Sequence, residues 1–159
     1  MNKQEVYAFL KEKNLDFDIT EHPAVYSMEE LALPYPEADA KKLFVRDDKK
    51  RNYYLITVKG DKRVDLKKFQ KKHGTRRLSF ASADDLMAIM GLIPGAVTPL
   101  GVLNEERRVE VCLDRDFLAE PGKIGVHPND NTATVWLKTG DLIALISEHG
   151  NTVHSVQIE

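Results

Sequence analysis

Along the start of the chain apolar side chains return every three or four positions. Val6, Phe9 and Leu10 share one face, which predicts a helix over residues 3–13. From Phe17 to His22 the run becomes strand-like. Ser27-Met-Glu-Glu30 carries the S-x-x-E pattern in which serine and glutamate satisfy each other's backbone N–H groups, predicting the start of a short helix. Residues 31–40 include Pro34 and Pro36 and read as a loop, because proline lacks the N–H a helix interior needs. Residues 41–48 and 52–60, KKLFVRDD and NYYLITVKG, form two β-rich runs around a charged turn, which predicts a hairpin.

Asp65 is placed to cap a helix over 66–73 that stops at Gly74. Residues 76–82 read as a strand, and Ser82 opens a helix ending at Gly91. Beyond it, 100–104, 108–114, 123–128 and 131–138 all read as strands. Thr139 to His149 is an apolar helix closed by Gly150, and 152–158 is a last strand. Roughly eight strands and five helices result, with strands running in pairs between helices. The expected class is α+β: one domain over residues 1–159, a curled mixed β-sheet flanked by helices.

Composition narrows the setting. Of 159 residues, 42% are hydrophobic and 30% charged, an ordinary globular balance. No apolar run is long enough to span a membrane, and the N-terminal stretch lacks a signal-peptide core. Cys112 is the only cysteine, which excludes an internal disulfide and C-x-x-C motifs. These features predict a soluble cytoplasmic protein.

The net charge of −2 hides a segregation. Residues 41–77 hold fifteen Lys/Arg against four Asp/Glu, a local balance of +11, and the remaining chain stands at −13. Such a block reads either as a polyanion footprint, with phosphates as partner, or as a solvated surface.

Signatures of familiar chemistry are missing. The five histidines form no H-E-x-x-H or close His/Asp cluster, so no metal site is expected. G-x-S-x-G, P-loop and Rossmann glycine patterns are absent. Cys112 falls within the apolar run VEVCL and reads as a buried structural thiol. What stands out is GLIPGAVTPLG, residues 91–101, too rich in glycine and proline for a helix or strand. Gly95 can bring backbone close to a ligand without a Cβ clash, while Pro94 and Pro99 stiffen the flanks. The corner reads either as a rigid connector or as a clamp made of N–H and C=O groups.

Taken in order, HP at 22–23, KKLFVRD at 41–47, VDLKKF at 64–69, RLSFAS at 77–82, PGAVTPLG at 94–101, HPNDNTATV at 127–135 and DL at 141–142 resemble the YbaK/prolyl-tRNA synthetase-associated editing domains. The similarity spans about residues 20–150 and is greatest to the free-standing ProX (PrdX, ProXp-ala) branch, which removes alanine mischarged onto proline tRNA. The resemblance implies that fold, and hydrolysis of an aminoacyl ester without metal or cofactor. It implies catalytic roles for Lys41, Gly95 and His127, and substrate-binding roles for Lys42, Arg46, Ala96, Val97, Thr98, Pro99 and Asn131. The N-x-A-T pattern is matched by Asn131, Ala133 and Thr134.

One departure bears on the lysines. Many relatives read T-K-N-L-F where this chain reads A-K-K-L-F, so Ala40 offers no hydroxyl and Lys42 replaces an amide. The implied partners are the acceptor end of mischarged tRNA(Pro) and prolyl-tRNA synthetase, with neither a membrane nor DNA. Two alternatives stay open: a deacylase for another misacylated tRNA such as Cys-tRNA(Pro), and a non-catalytic RNA- or amino-acid-binding module. Because the ester is already activated, its cleavage calls for positioning, an oxyanion donor and capture of phosphates more than for a strong nucleophile.

Overall fold

In a computed structural model, residues 1–23, 40–60, 62–106 and 108–158 are described. The capping box at Ser27 lies outside them, as does the loop expected over 31–40 except for Ala40, which begins a strand. The chain opens with helix α1 (Lys3–Glu12), whose Asn2 and Glu5 cap it reciprocally, burying Val6, Tyr7 and Leu10. Strand β1 (Phe17–Glu21) follows. Strands β2 (Ala40–Asp47) and β3 (Tyr53–Lys59) form the expected antiparallel hairpin, with Lys42 opposite Thr57 and Phe44 opposite Leu55. Its turn is organised by the buried Asp47, which accepts from the N–H of Lys49 and Arg51 and from the Asn52 side chain.

Helix α2 (Leu66–His73) starts at Asp65, whose carboxylate accepts from the N–H of Lys67 and Lys68, and ends on Gly74 at φ 65°. Strand β4 (Leu78–Phe80) is shorter than the run read from sequence. Helix α3 (Ala83–Met90) is capped by Ser82 and closed by Gly91. Strands β5 (Val109–Asp114), β6 (Lys123–Val126) and β7 (Ala133–Lys138), helix α4 (Thr139–His149) and strand β8 (Val153–Val156) complete the described elements. A short 3₁₀ helix, Arg115–Leu118, links β5 to β6.

Residues 100–104, expected as a strand, form a 3₁₀ helix over Pro99–Asn104. Thr98 explains the change. Its hydroxyl accepts from Leu100 N–H, its carbonyl accepts from Gly101 N–H at 3.0 Å, and Pro99 occupies the first helical position, where no N–H is needed.

The strands divide between two sheets. The order β4-β2-β3-β5-β8 gives a five-stranded mixed sheet, antiparallel across β2–β3 and β2–β4 and parallel across β3–β5 and β5–β8. A three-stranded antiparallel sheet runs β1-β7-β6. The architecture is α+β with a mixed sheet, as expected; the single curled sheet read from sequence is two open ones.

The main core lies between them. Ala40, Phe44, Leu55 and Val111 from the larger sheet pack with Val126, Val135 and Leu137 from the smaller, along with apolar residues of α1, α3 and α4. Alternation along β2 and β3 sends Leu43, Val45, Ile56 and Val58 to the opposite face, where Phe69 of α2 covers them. Among the described residues no helix is long and apolar enough to cross a membrane.

Candidate active site

The turn between β6 and β7 starts with His127, which is buried. Its Nδ1 lies 3.0 Å from the carbonyl oxygen of Ala133. A carbonyl only accepts, so Nδ1 carries the proton and Nε2 keeps its lone pair. Nε2 has no hydrogen-bond partner among the described residues. Burial and then the charge of Lys42 push this imidazole down from 6.5 to about 4, so it stays neutral near pH 7. The turn is fixed locally. Asp130 accepts from Thr132 N–H at 2.8 Å and from the Thr132 hydroxyl, an Asx turn that also holds the carboxyl below its usual pKa. Asn131, also in this turn, is buried.

A second histidine stands beside the first. The rings of His22 and His127 meet edge to face with centroids 6.3 Å apart. His22 Nδ1 lies 2.9 Å from the carbonyl oxygen of Pro23, so its proton sits there, and its Nε2 accepts from the Thr134 hydroxyl at 3.1 Å. His22 N–H donates to Thr132 O at 2.9 Å, extending the β1–β7 ladder up to the turn. The placement of His22 beside His127 is not legible in the sequence, where the His-Pro pair at 22–23 and Thr134 are the signals present.

The two lysines of β2 separate. Lys42 shares a strand face with Ala40 and Phe44, on the side of the main core and of His127. Its Nζ lies 3.2 Å from the Ala40 carbonyl. Lys41 takes the other face, exposed, with Nζ 3.3 Å from the carbonyl oxygen of Lys62. Arg46 returns to the Lys42 face but four residues along the strand, roughly 13 Å away at about 3.3 Å per residue. Its guanidinium donates to the Asp47 carbonyl. Sequence position groups these three cations; the structure brings only Lys42 to His127.

The glycine–proline corner is a formed turn. Ala96 N–H donates to Ile93 O at 3.1 Å, with Pro94 and Gly95 between them and Gly95 at φ 93°. Proline followed by a positive-φ glycine is the pattern of a type II turn, which only glycine occupies without strain. The N–H groups of Gly95, Val97 and Thr98 donate to no partner among the described residues. Ala96, Thr98 and Pro99 are buried, and Val97 packs against the main core cluster. Cys112 is buried on the other face of the sheet, where burial pushes its thiol up to about 12.

The structure thus sets a neutral imidazole acceptor on the same side of the larger sheet as Lys42, and a glycine turn whose neighbours pack on the same main core, the layout of an α+β domain with a polar site at its core. A profile of the aminoacyl-tRNA editing domain family matches residues 22–145, and the chain belongs to this family. Prolyl-tRNA editing protein ProX of Acetoanaerobium sticklandii is 41% identical over 160 residues, covering 98% of this chain and 97% of that protein. Prolyl-tRNA synthetase associated domain-containing protein 1 of Mus musculus is 32% identical over 142 residues, covering 84% and 83%. Two solved structures share the fold. A candidate trans-editing enzyme for prolyl tRNA synthetase has a TM-score of 0.73 at 22% identity, covering 99% of this chain and 97% of that one. A scaffold used for computational epitope grafting has a TM-score of 0.75 at 23% identity, with the same coverage.

Proposed function

We propose that this protein is a trans-editing deacylase that hydrolyses the ester of alanine mischarged onto tRNA(Pro), acting in the cytoplasm as one domain. Family membership and the likeness to ProX support the reaction class. The observation that carries the chemistry is His127, kept neutral by burial and by the charge of Lys42, with an unprotonated Nε2.

In this reading water attacks the ester carbonyl, and the oxyanion that forms is held by N–H groups of the Gly95–Pro99 corner. Collapse breaks the acyl–oxygen bond, and the ribose hydroxyl leaves with a proton. His127 and Asn131 position the amino acid, with Nε2 accepting from its ammonium or from the attacking water. An imidazole near pKa 4 is a weak base, so it orients more than it deprotonates. Lys42 supplies positive charge at the ester, and Lys41, at the rim of β2, holds a phosphate of the acceptor end. No protein nucleophile is involved: the Cys112 thiol is buried and protonated. The neighbouring ribose hydroxyl is available to assist water.

The test is deacylation of alanyl-, cysteinyl- and seryl-tRNA(Pro) by the purified protein. Alanyl-tRNA(Pro) is expected to be cleaved fastest. A preference for cysteinyl-tRNA(Pro) would reassign the substrate, and no turnover of any of them would remove the enzymatic reading. Addition of prolyl-tRNA synthetase to the same assay tests that partner.

A further inference from the structure

The positive block of residues 41–77 is only partly used by the site described above. Helix α2 packs Phe69 onto the face of the larger sheet away from His127. Beside it runs a groove of about 730 Å³ whose rim includes Arg63, Lys68, Lys71 and Lys72 and whose floor includes Val64 and Phe69. Among the described residues no carboxylate lies within ion-pair distance of these four cations or of Lys67. Among the described residues lining the groove the one acid, Asp65, is committed to the helix N-terminus. Nearby Asp114 and Asp116 are taken up by Lys62, which also donates to Ile158 O.

The stripe carries a local cost. Lys67 and Lys71, and Lys68 and Lys72, are like charges four residues apart, so each pair opposes the helix. The cations extend along an eight-residue helix, about 12 Å at 1.5 Å per residue, which suits a repeating anion better than a single phosphate. Continuity with the site comes from β2. Lys42 faces His127, Lys41 faces outward, and the Lys41 ammonium rests on the carbonyl of Lys62, the residue before Arg63.

We propose that the α2 groove is a second RNA surface, holding the sugar–phosphate backbone of the tRNA substrate after it passes over the rim of β2 at Lys41. The proposal rests on the editing function above. It separates two tasks: the Lys42–His127 face handles the ester, and the α2 face binds the body of the polyanion.

The experiment compares the wild type with an Arg63→Gln/Lys68→Gln/Lys71→Gln variant on two substrates, alanyl-tRNA(Pro) and the alanyl ester of adenosine, across about 50 to 200 mM salt. With tRNA, three lost phosphate contacts at roughly 0.7–0.9 each flatten the log–log salt dependence of kcat/KM by about two, and kcat/KM at low salt falls at least about tenfold. Hydrolysis of the adenosine ester is unchanged, and Lys71→Gln alone gives about one third of the slope change. A variant that keeps the wild-type slope overturns the proposal, as does one that hydrolyses the adenosine ester more slowly at an unchanged Tm. If the wild type cleaves neither ester, the editing reading fails, and equilibrium binding of uncharged tRNA decides the surface. Weaker, less salt-sensitive binding by the variant upholds it, and equal binding overturns it.

Discussion

Thr57 stands directly opposite Lys42 across the β2–β3 ladder, fully buried, its hydroxyl without a hydrogen-bond partner among the described residues. Paired residues of an antiparallel ladder share a face, so this hydroxyl lies on the His127 side of the sheet. A buried polar group without a partner costs stability. Thr57→Val, similar in shape, is expected to raise the unfolding free energy by about 1 kcal/mol. Denaturant titration checks it, and a fall in stability would mean that the hydroxyl is already satisfied.

Burial first, and then the charge of Lys42, keep His127 neutral. Lys42→Ala is therefore expected to raise the His127 pKa from about 4 toward the ordinary 6.5, while Lys41→Ala, on the other strand face, leaves it in place. Imidazole resonances followed by NMR against pH read both. Equal shifts in the two variants would contradict the placement of the lysines.

His127 also sets a pH dependence of stability. Its folded pKa is depressed, so the unfolded chain takes up the proton first as pH falls. The stability it contributes is whole above about 6.5 and is lost progressively down to about 4, by up to about 3 kcal/mol. Unfolding of wild type and His127→Gln across that window should differ in slope. Parallel curves would show that the imidazole titrates normally.

Gly125 pairs with Trp136 across β6–β7, two residues before His127. A Cβ at this position would lie under 3.0 Å from three carbons of the Trp136 ring. The indole is held by its Nε1–H donating to Thr20 Oγ1 at 2.9 Å, so it cannot swing aside cheaply. Gly125→Ala is expected to cost about 2–3 kcal/mol and to displace the His127 turn, lowering Tm and turnover together. Unchanged Tm would show that the ring yields.

Much of the fold was legible because its signals are local. Asp65 and Gly74 bound α2, Ser82 and Gly91 bound α3, and Asp47 with its turn set the β2–β3 hairpin. Residues 100–104 misled because Leu100, Gly101 and Val102 are buried with no strand partner, and apolar composition alone cannot separate a buried 3₁₀ turn from a strand. The split into two sheets depends on β1 finding β7 more than a hundred residues away. At the site, period-two alternation does say that Lys41 and Lys42 face opposite ways. Which of them faces His127 is decided by how β6 docks on β2, and no local pattern carries that. The link from His22 to Thr134 is likewise long-range, across 112 positions.

The crowding of cations around α2 belongs to a wider segregation of charge along the chain, +11 over residues 41–77 against −13 in the rest, although the net charge is only −2. A neutral-looking isoelectric point near 6.2 therefore misdescribes how it meets other surfaces. Near a polyanion the molecule turns before it touches, presenting α2 first, and the torque fades as salt shortens the reach of the field. On ion-exchange media at neutral pH and low salt the same protein is expected to adhere to cation as well as anion exchangers, which its net charge alone does not predict.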